Sequence, residues 1–422
     1  MEERDKLTEA ELRHNRGILL AYFLYTTLNG ALRKWVFSGS SLVENVLLLL
    51  QLLSPILMAV LMKRRKRVFF SFPILPFSLV LAVLALNPMN HTMFHGAFGF
   101  VLHVGFWLAM CIYLEEREAF PVERIVGAML VVCIGEALLG FLQFGLPGDH
   151  ILNRYVSNNH DVSGFGGEMG TRVVGTFSYI AGYGAFLVFF GMLVWALMVE
   201  NRRRMPLIFA FVVIGLVSAF MNGGRAIVLP FLLTTVFGFI SYGSVGNKVK
   251  GLAVLAVFGL LALVYEVGDK VTIVERSFNA FYSRVQYGNE SGETAGRTFM
   301  TFKAVLDYGG RHPLFGAGLG ATYQGAIAKW GRSPEISPRF EEEPERVIME
   351  GGYFLFIIRL LMFVFVLTRL VVPVYFSGPF LFYLLMFSPL IFNTNQSTFA
   401  FFGLMLVDKM YFLKQREKGG SG

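Results

Sequence analysis

The chain has 422 residues, of which 55% are apolar and only 16% are charged, against about 25% charged residues in soluble domains. This composition, with 44 phenylalanines and a mean hydropathy of +0.58, excludes a set of ordinary soluble domains. The formal net charge of +8 is distributed in a way that does not indicate nucleic acid. The two cysteines, Cys111 and Cys133, lie in apolar runs, which excludes a disulfide framework.

The N-terminal segment 1–16 is charged and lacks the pattern of a cleaved signal peptide, so we expect it on the cytoplasmic membrane surface. Apolar runs long enough to cross about 30 Å of hydrocarbon as helices then recur up to residue 413. The sequence therefore predicts an all-α, polytopic membrane protein with a single membrane domain, 1–418, followed by a cloning remnant at 419–422. The predicted spans are 17–36, 42–62, 68–87, 96–114, 125–145, 173–199, 206–222, 225–243, 251–267, 352–370, 372–392 and 396–413.

Basic residues follow the even-numbered spans if the N-terminus is cytoplasmic. The largest groups are at 63–67 and 202–204, and others follow the fourth, eighth, tenth and twelfth spans. They all then fall on one side, as the positive-inside bias requires, whereas eleven or thirteen spans would break this regularity. We therefore expect about twelve spans with both termini in the cytoplasm.

Two external loops are longer than ordinary connections, at 146–172 and 268–350, and long loops are commonly functional. The second is rich in arginine, which opposes the orientation signal. From Thr294 its apolar residues have helical spacing and predict a short amphipathic helix on the membrane, with Arg297 in the first turn. An acidic run at 341–350 precedes the tenth span.

Arginines at the external ends of helices are the main candidates for binding. Arg172 is expected to open the sixth span, Arg225 lies between the seventh and eighth, and Arg154 lies in the preceding loop. Each could simply extend to the membrane interface. The functional hypothesis is that they converge on an anion with the loop arginines, because a guanidinium stays charged and binds phosphate through paired hydrogen bonds. The loop candidates are Arg276, Arg284, Arg297 and Arg346.

Several other chemistries are not supported. His91 and His95 have helical ligand spacing but no carboxylate or cysteine beside them, so we predict neither a metal site nor a cofactor. Intramembrane ionisable residues are few, chiefly Glu136, with Glu266 near the end of the ninth span. An ion-coupled transporter usually has paired charges near the midplane. We therefore expect Glu136 to be hydrogen-bonded to its neighbours, and we disfavour transport.

The order of motifs resembles that of the bacterial O-antigen ligase and O-antigen or exopolysaccharide polymerase superfamily. The resemblance spans about residues 150–370 and rests also on the placement of the two external loops. The motifs that carry it are TRVVGTFSYIAGYGAFL with Arg172 and Gly175, the NGGRA turn with Arg225, AGRTFMTFKAVLDYGGRHPLFGAGLG with Arg297, and the acidic stretch ending in MEGGYFLFIIRL.

The resemblance implies glycosyl transfer at the periplasmic face of the bacterial inner membrane, without metal or nucleotide. The implied donor is a glycan on undecaprenyl pyrophosphate, with membrane lipid around its tail. A chain-length regulator and other polysaccharide assembly proteins are implied partners. Arg172 and Arg225, with Arg297 beside them, would then stabilise the leaving pyrophosphate.

Ligases of this superfamily have a histidine shortly before the tenth span, where this chain has EEEPERVIMEGG. This difference favours a polymerase over a ligase. Glu345 or Glu343 is then the candidate general base, and His312 is a further candidate that the surrounding turn also explains. Transfer to a lipid or protein acceptor and transport of the lipid-linked glycan are the alternatives.

Overall fold

The structure is a computed structural model that describes residues 7–65, 73–156, 171–200, 205–242, 272–290, 292, 303, 305–307, 312–334, 343–388 and 393–419. None of these residues forms a strand. The chain divides into two compact units, and each is considered by itself. Unit 1 comprises Met1–Leu19, Leu52–Phe120 and Gly292–Phe401, and unit 2 comprises Leu20–Gln51, Pro121–Ser291 and Phe402–Gly422.

The helices of the described residues are numbered here in chain order. They are α1 (Glu9–Ala31, continued by a π-helical turn at Leu32–Val36), α2 (Ser41–Leu61), α3 (Ile74–Ala85), α4 (Met93–Glu115), α5 (Val126–Gly145), α6 (Ile180–Glu200), α7 (Met205–Asn222), α8 (Arg225–Ser241), α9 (Thr272–Glu290), α10 (Gln324–Trp330), α11 (Glu343–Arg369), α12 (Val374–Met386) and α13 (Thr394–Gly419).

Among the described residues, six helices are long and apolar enough to cross a membrane: α2, α4, α5 with the turn before it, α6, α7 and α11. Three shorter apolar helices are α3, α8 and α12. The chain is therefore an all-α protein of the membrane class, and the total of twelve spans stays a prediction. The predicted ninth span, 251–267, lies outside the described residues, as does most of the helix predicted from Thr294.

The first helix begins earlier than predicted. Thr8 and Glu11 form a capping box, in which Glu11 N donates to Thr8 Oγ1 at 3.2 Å and Thr8 N donates to Glu11 Oε2 at 2.9 Å. Residues 9–16 therefore belong to α1 and are not a separate surface segment. Asn15 is fully buried, and its Nδ2 donates to the carbonyls of Lys63 and Ala119, each at 2.8 Å.

Three connections lie at the same end of unit 1. Asn15 joins the residues after α2 and α4, and Arg117, after α4, donates to the carbonyl of Arg369, the last residue of α11. The orientation argument had assigned these connections to one side of the membrane. Their meeting agrees with that assignment, whereas the cytoplasmic location of this end stays a prediction.

A sharp break divides α11 at Gly352, which has φ 67° and ψ −174°, a combination almost confined to glycine. Glu343 and Arg359 are sixteen residues apart, yet Glu343 Oε1 and Arg359 Nη2 are separated by 2.6 Å. A straight helix would place these residues about 24 Å apart along its axis. The first half, 343–351, therefore folds back against the second, 353–369, which matches the predicted span 352–370.

Residues 312–323 of unit 1, here called the docked loop, cover this break. Tyr353 N donates to Pro313 O at 2.8 Å, and Phe354 N donates to Leu314 O at 3.2 Å. A Cβ atom on Gly352 would collide with the carbonyl of Leu314. The loop thus supplies the hydrogen bonds that the broken helix cannot make internally.

In unit 2, α6 is almost entirely buried and packs against α7 and α8. Aromatic contacts extend this core to α1 and α13, since the ring centroid of Phe23 lies 5.2 Å from that of Phe189 and 5.5 Å from that of Phe402. The chain enters α6 through residues 171–179, which are not helical. The prediction that Arg172 opens a helix is therefore wrong by eight residues.

Candidate functional site

Residues 171–179, here called the inserted segment, are mostly buried although they form no helix or strand. Buried backbone N–H and C=O groups without such partners need hydrogen bonds from side chains. Two residues of α5 provide several of them. Glu136 Oε2 accepts from Thr176 N at 3.0 Å, and Gln143 pairs with Gly175 in both directions, at 2.8 and 3.0 Å.

Two residues outside α5 complete the anchoring of the inserted segment. Lys34 Nζ, in the π-helical turn, donates to the carbonyls of Gly175 at 2.6 Å and Phe177 at 3.0 Å. Asn222 Nδ2, at the end of α7, donates to Val173 O at 3.0 Å and also to the carbonyl of Ile180. Non-helical backbone inside a membrane protein is stable only with such internal partners.

Two arginines meet at the end of α7. Arg172 Nε donates to Asn222 O at 3.1 Å. Arg284 lies against the next residue, Gly223, where any Cβ atom would collide with Arg284 Nη1. Burial and the neighbouring Arg172 charge lower the pKa of Arg284 to about 10, so the Arg284 guanidinium is still charged at neutral pH. The turn at Gly223, with φ 70°, is open to the guanidinium because glycine has no side chain.

Arg284 reaches this position because α9 lies against α7. The ring of Phe220 on α7 contacts the rings of Phe278 and Phe281, with centroids 5.6 and 5.2 Å apart. The same helix places Arg276 over the ring of Phe144, 5.8 Å from its centroid and one residue before the end of α5. The long loop thus contains a helix that sequence periodicity did not predict, and it brings two predicted arginines to unit 2.

Further groups of the predicted site lie nearby. Tyr155 Oη donates to Arg172 O at 3.3 Å, and the exposed Arg154 is the residue before it. Gly224 caps α8, so Arg225 is the first residue of this helix, although its side chain lies outside the described part of the chain. The N-terminus of α8 adds about half a positive charge to the same end of unit 2. Arg297 lies outside the described residues.

The remaining predicted residues lie in unit 1. Glu343 is buried and bonded to the fully buried Arg359, and its role as a candidate base or substrate-binding residue stays a prediction. Glu345 and Arg346 are half-buried in the first half of α11, and the half-buried His312 begins the docked loop. The sequence grouped these residues with the arginines, whereas the structure divides them between two units.

Glu350 is a buried carboxylate that the sequence interpretation did not single out. Thr322 N and Thr322 Oγ1 donate to Glu350 Oε1 at 2.8 and 2.6 Å, and Gly320 N donates to Oε2 at 2.8 Å. His103 Nε2 of α4 lies 3.0 Å from the same Oε2. In the sequence, His103 lies within the predicted fourth span and Glu350 directly before the predicted tenth span. Nothing in the sequence indicates their pairing, because they are 247 positions apart.

Unit 1 therefore contains the paired buried charges whose absence had been expected. Arg359 Nε and Nη1 have no hydrogen-bond partner among the described residues, nor does Trp107 Nε1. The ring of Trp107 contacts Phe363, which lies one turn after Arg359. The expectation that paired buried charges are lacking is wrong for unit 1, so it no longer argues against transport. The expected hydrogen bonding of Glu136 is confirmed.

No group of three or more histidine, cysteine, aspartate or glutamate side chains in the described residues has the arrangement of a metal site. His95 Nε2 lies 3.2 Å from Gly331 O, and its Nδ1 lies 2.8 Å from Thr92 Oγ1. Comparisons with protein-family models, curated proteins and solved structures found no match.

Proposed function

We propose that the protein is a bacterial inner-membrane polysaccharide polymerase that joins repeat units carried on undecaprenyl pyrophosphate. The close approach of Arg172 and Arg284 at Asn222 and Gly223 is the observation that best supports this function. Two like charges repel each other in a partly buried site. A bound anion would offset this repulsion, so we infer an anionic ligand at this end of unit 2.

A diphosphate matches the chemistry of this site. Its oxygens accept paired hydrogen bonds from guanidinium groups, and its charge is favoured beside the N-terminus of α8. In the proposed reaction an acceptor hydroxyl attacks the anomeric carbon, whose bond to the pyrophosphate oxygen breaks. The pyrophosphate leaves with the electron pair, and Arg172 and Arg284 stabilise its developing charge.

A general base takes the proton of the attacking hydroxyl, and the candidate from the sequence, Glu345, lies in unit 1 and stays a prediction. Glu343 is the less suitable carboxylate, because its bond to Arg359 would have to break first. Glu345 is half-buried, and it lies in the first half of α11 beside Arg346.

The test uses purified protein and a lipid-linked repeat unit as the only glycan. We expect Arg172→Ala and Arg284→Ala to lower the elongation rate by about 10²-fold or more, because each removes a cation that stabilises the leaving group. Arg369→Ala is the matched control, since Arg369 packs on the ring of Phe365 at an end of unit 1 without predicted site residues.

A ladder of products made without any other acceptor distinguishes a polymerase from a ligase. Normal polymer length in both folded arginine variants would contradict the proposal.

Transport of the lipid-linked glycan is the second candidate, because unit 1 contains the buried pairs His103–Glu350 and Arg359–Glu343. Polar groups of this kind inside membrane helices commonly mark transport pathways. Movement of the glycan across proteoliposomes without covalent product would favour this function over polymerisation.

A further inference from the structure

Lys34 is a buried cation that the proposed reaction does not use. Its side chain is 3% exposed and lies in the π-helical turn after α1. Such turns occur frequently at functional sites. Its ammonium group donates to the carbonyls of Gly175 and Phe177, which flank Thr176 in the inserted segment.

Glu136 holds Thr176, the residue between the two carbonyls that Lys34 binds. Its Oε2 accepts from Thr176 N at 3.0 Å, and its Oε1 accepts from Thr176 Oγ1 at 2.5 Å. Lys34 and Glu136 also attract each other electrostatically. Lys34 and Glu136 therefore hold one short stretch of backbone from two different helices, and each has hydrogen-bond partners there.

Cations lie at both ends of the inserted segment. Arg172 lies four residues before Thr176 and bonds to Asn222. At the other end, Arg33 Nη1 donates to Ser178 Oγ at 3.2 Å. Arg33 directly precedes Lys34, so the turn that holds the segment also carries a second arginine to it.

We propose that Lys34, paired with Glu136, is the positioning residue of the anion site: it acts through the inserted segment to hold Arg172 in place and does not touch the anion itself. This inference rests on the proposed function, because it requires that Arg172 binds a diphosphate. Binding sites need their cations held within a fraction of an ångström, and the bonds around Thr176 provide this rigidity.

The experiment measures how inorganic pyrophosphate raises the melting temperature of the purified protein in detergent. Lys34→Met removes both hydrogen bonds to the carbonyls. Thr176→Val is a second variant of nearly the same shape that removes the hydroxyl, which lies 2.5 Å from Glu136 Oε1 and 2.7 Å from Thr27 O, and leaves every charge in place. We expect each to raise the half-saturating pyrophosphate concentration by about tenfold or more.

The matched control is Ser241→Ala. Ser241 Oγ bonds to Phe237 O and lies 2.5 Å from Tyr411 Oη, so its loss also weakens buried bonds of unit 2. It ends α8, about 24 Å from the helix start at Arg225. We expect a lowered melting temperature but unchanged half-saturating pyrophosphate concentration.

The double variant Lys34→Met with Glu136→Gln separates positioning from charge balance. If Lys34 only neutralises Glu136, the double variant should recover wild-type pyrophosphate affinity, and this would overturn the inference. Continued weak binding supports positioning. The inference would also be overturned if Lys34→Met and Thr176→Val bound pyrophosphate as tightly as Ser241→Ala does. If pyrophosphate did not stabilise the wild-type protein, that result would count against the proposed function itself.

Discussion

The inserted segment of unit 2 and the docked loop of unit 1 are both anchored by a buried glutamate that binds a threonine. Glu136 accepts from the backbone N and the hydroxyl of Thr176, and Glu350 accepts from the same two groups of Thr322. Each glutamate belongs to a helix that is long and apolar enough to cross a membrane. The same local chemistry therefore stabilises non-helical backbone in both units.

The two anchors differ in what surrounds them. Glu136 shares its segment with Lys34, which donates to the carbonyls of Gly175 and Phe177, and the segment continues to Arg172. Glu350 bonds to His103, and its loop closes the break in α11. The surroundings of a glutamate–threonine anchor therefore differ more than the anchor itself: cations lie beside the Thr176 anchor, and a broken helix lies beside the Thr322 anchor.

Breaking the ion pair of unit 1 should have the largest effect on stability. Glu343→Leu leaves Arg359 buried without its carboxylate, so we expect the free energy of unfolding to fall by about 3–5 kcal/mol. The double variant Glu343→Leu with Arg359→Met should recover most of this loss. Chemical unfolding in detergent measures both, and a loss below about 1 kcal/mol in the single variant would contradict a structural role for the pair.

Exchanging each anchoring carboxylate for an amide should separate the two regions by function. Glu350→Gln places an NH₂ group where donors already converge, so we expect a loss of about 1–3 kcal/mol in the free energy of unfolding and unchanged pyrophosphate binding. Glu136→Gln should weaken pyrophosphate binding as well, because its NH₂ group would face one of the two Thr176 donors and loosen the inserted segment. Equal pyrophosphate affinity in the two variants would show that the distinction is wrong.

The smallest expected effect on stability is that of Gly223→Ala. The new methyl group would collide with Arg284 Nη1 at a residue with φ 70°, so we expect a loss of about 1–2 kcal/mol. Displaced Arg284 should also bind pyrophosphate more weakly in the melting-temperature assay. Gly127→Ala, in α5, is the control, because its Cβ atom meets no neighbour within 4 Å. Full pyrophosphate affinity in Gly223→Ala would exclude Arg284 from the site.

The sequence by itself determined the helical membrane class and the position of most described helices. Long apolar runs predict helices that bury their own backbone hydrogen bonds, and this property depends only on neighbouring residues. The second half of α11, for example, matches its predicted span. The sequence also predicted Arg172, Arg276 and Arg284 as binding residues, and all three lie in unit 2. The reaction assigned to them stays a proposal.

Only the tertiary structure decided how the irregular backbone and the buried charges are paired. The apolar inserted segment was predicted to be helical, but Gln143, Lys34 and Asn222 reach it from other helices. Glu350 and His103 are likewise far apart in the chain. A hydropathy pattern records how apolar a stretch is, but a buried charge is stabilised by a specific partner whose position depends on how the helices pack.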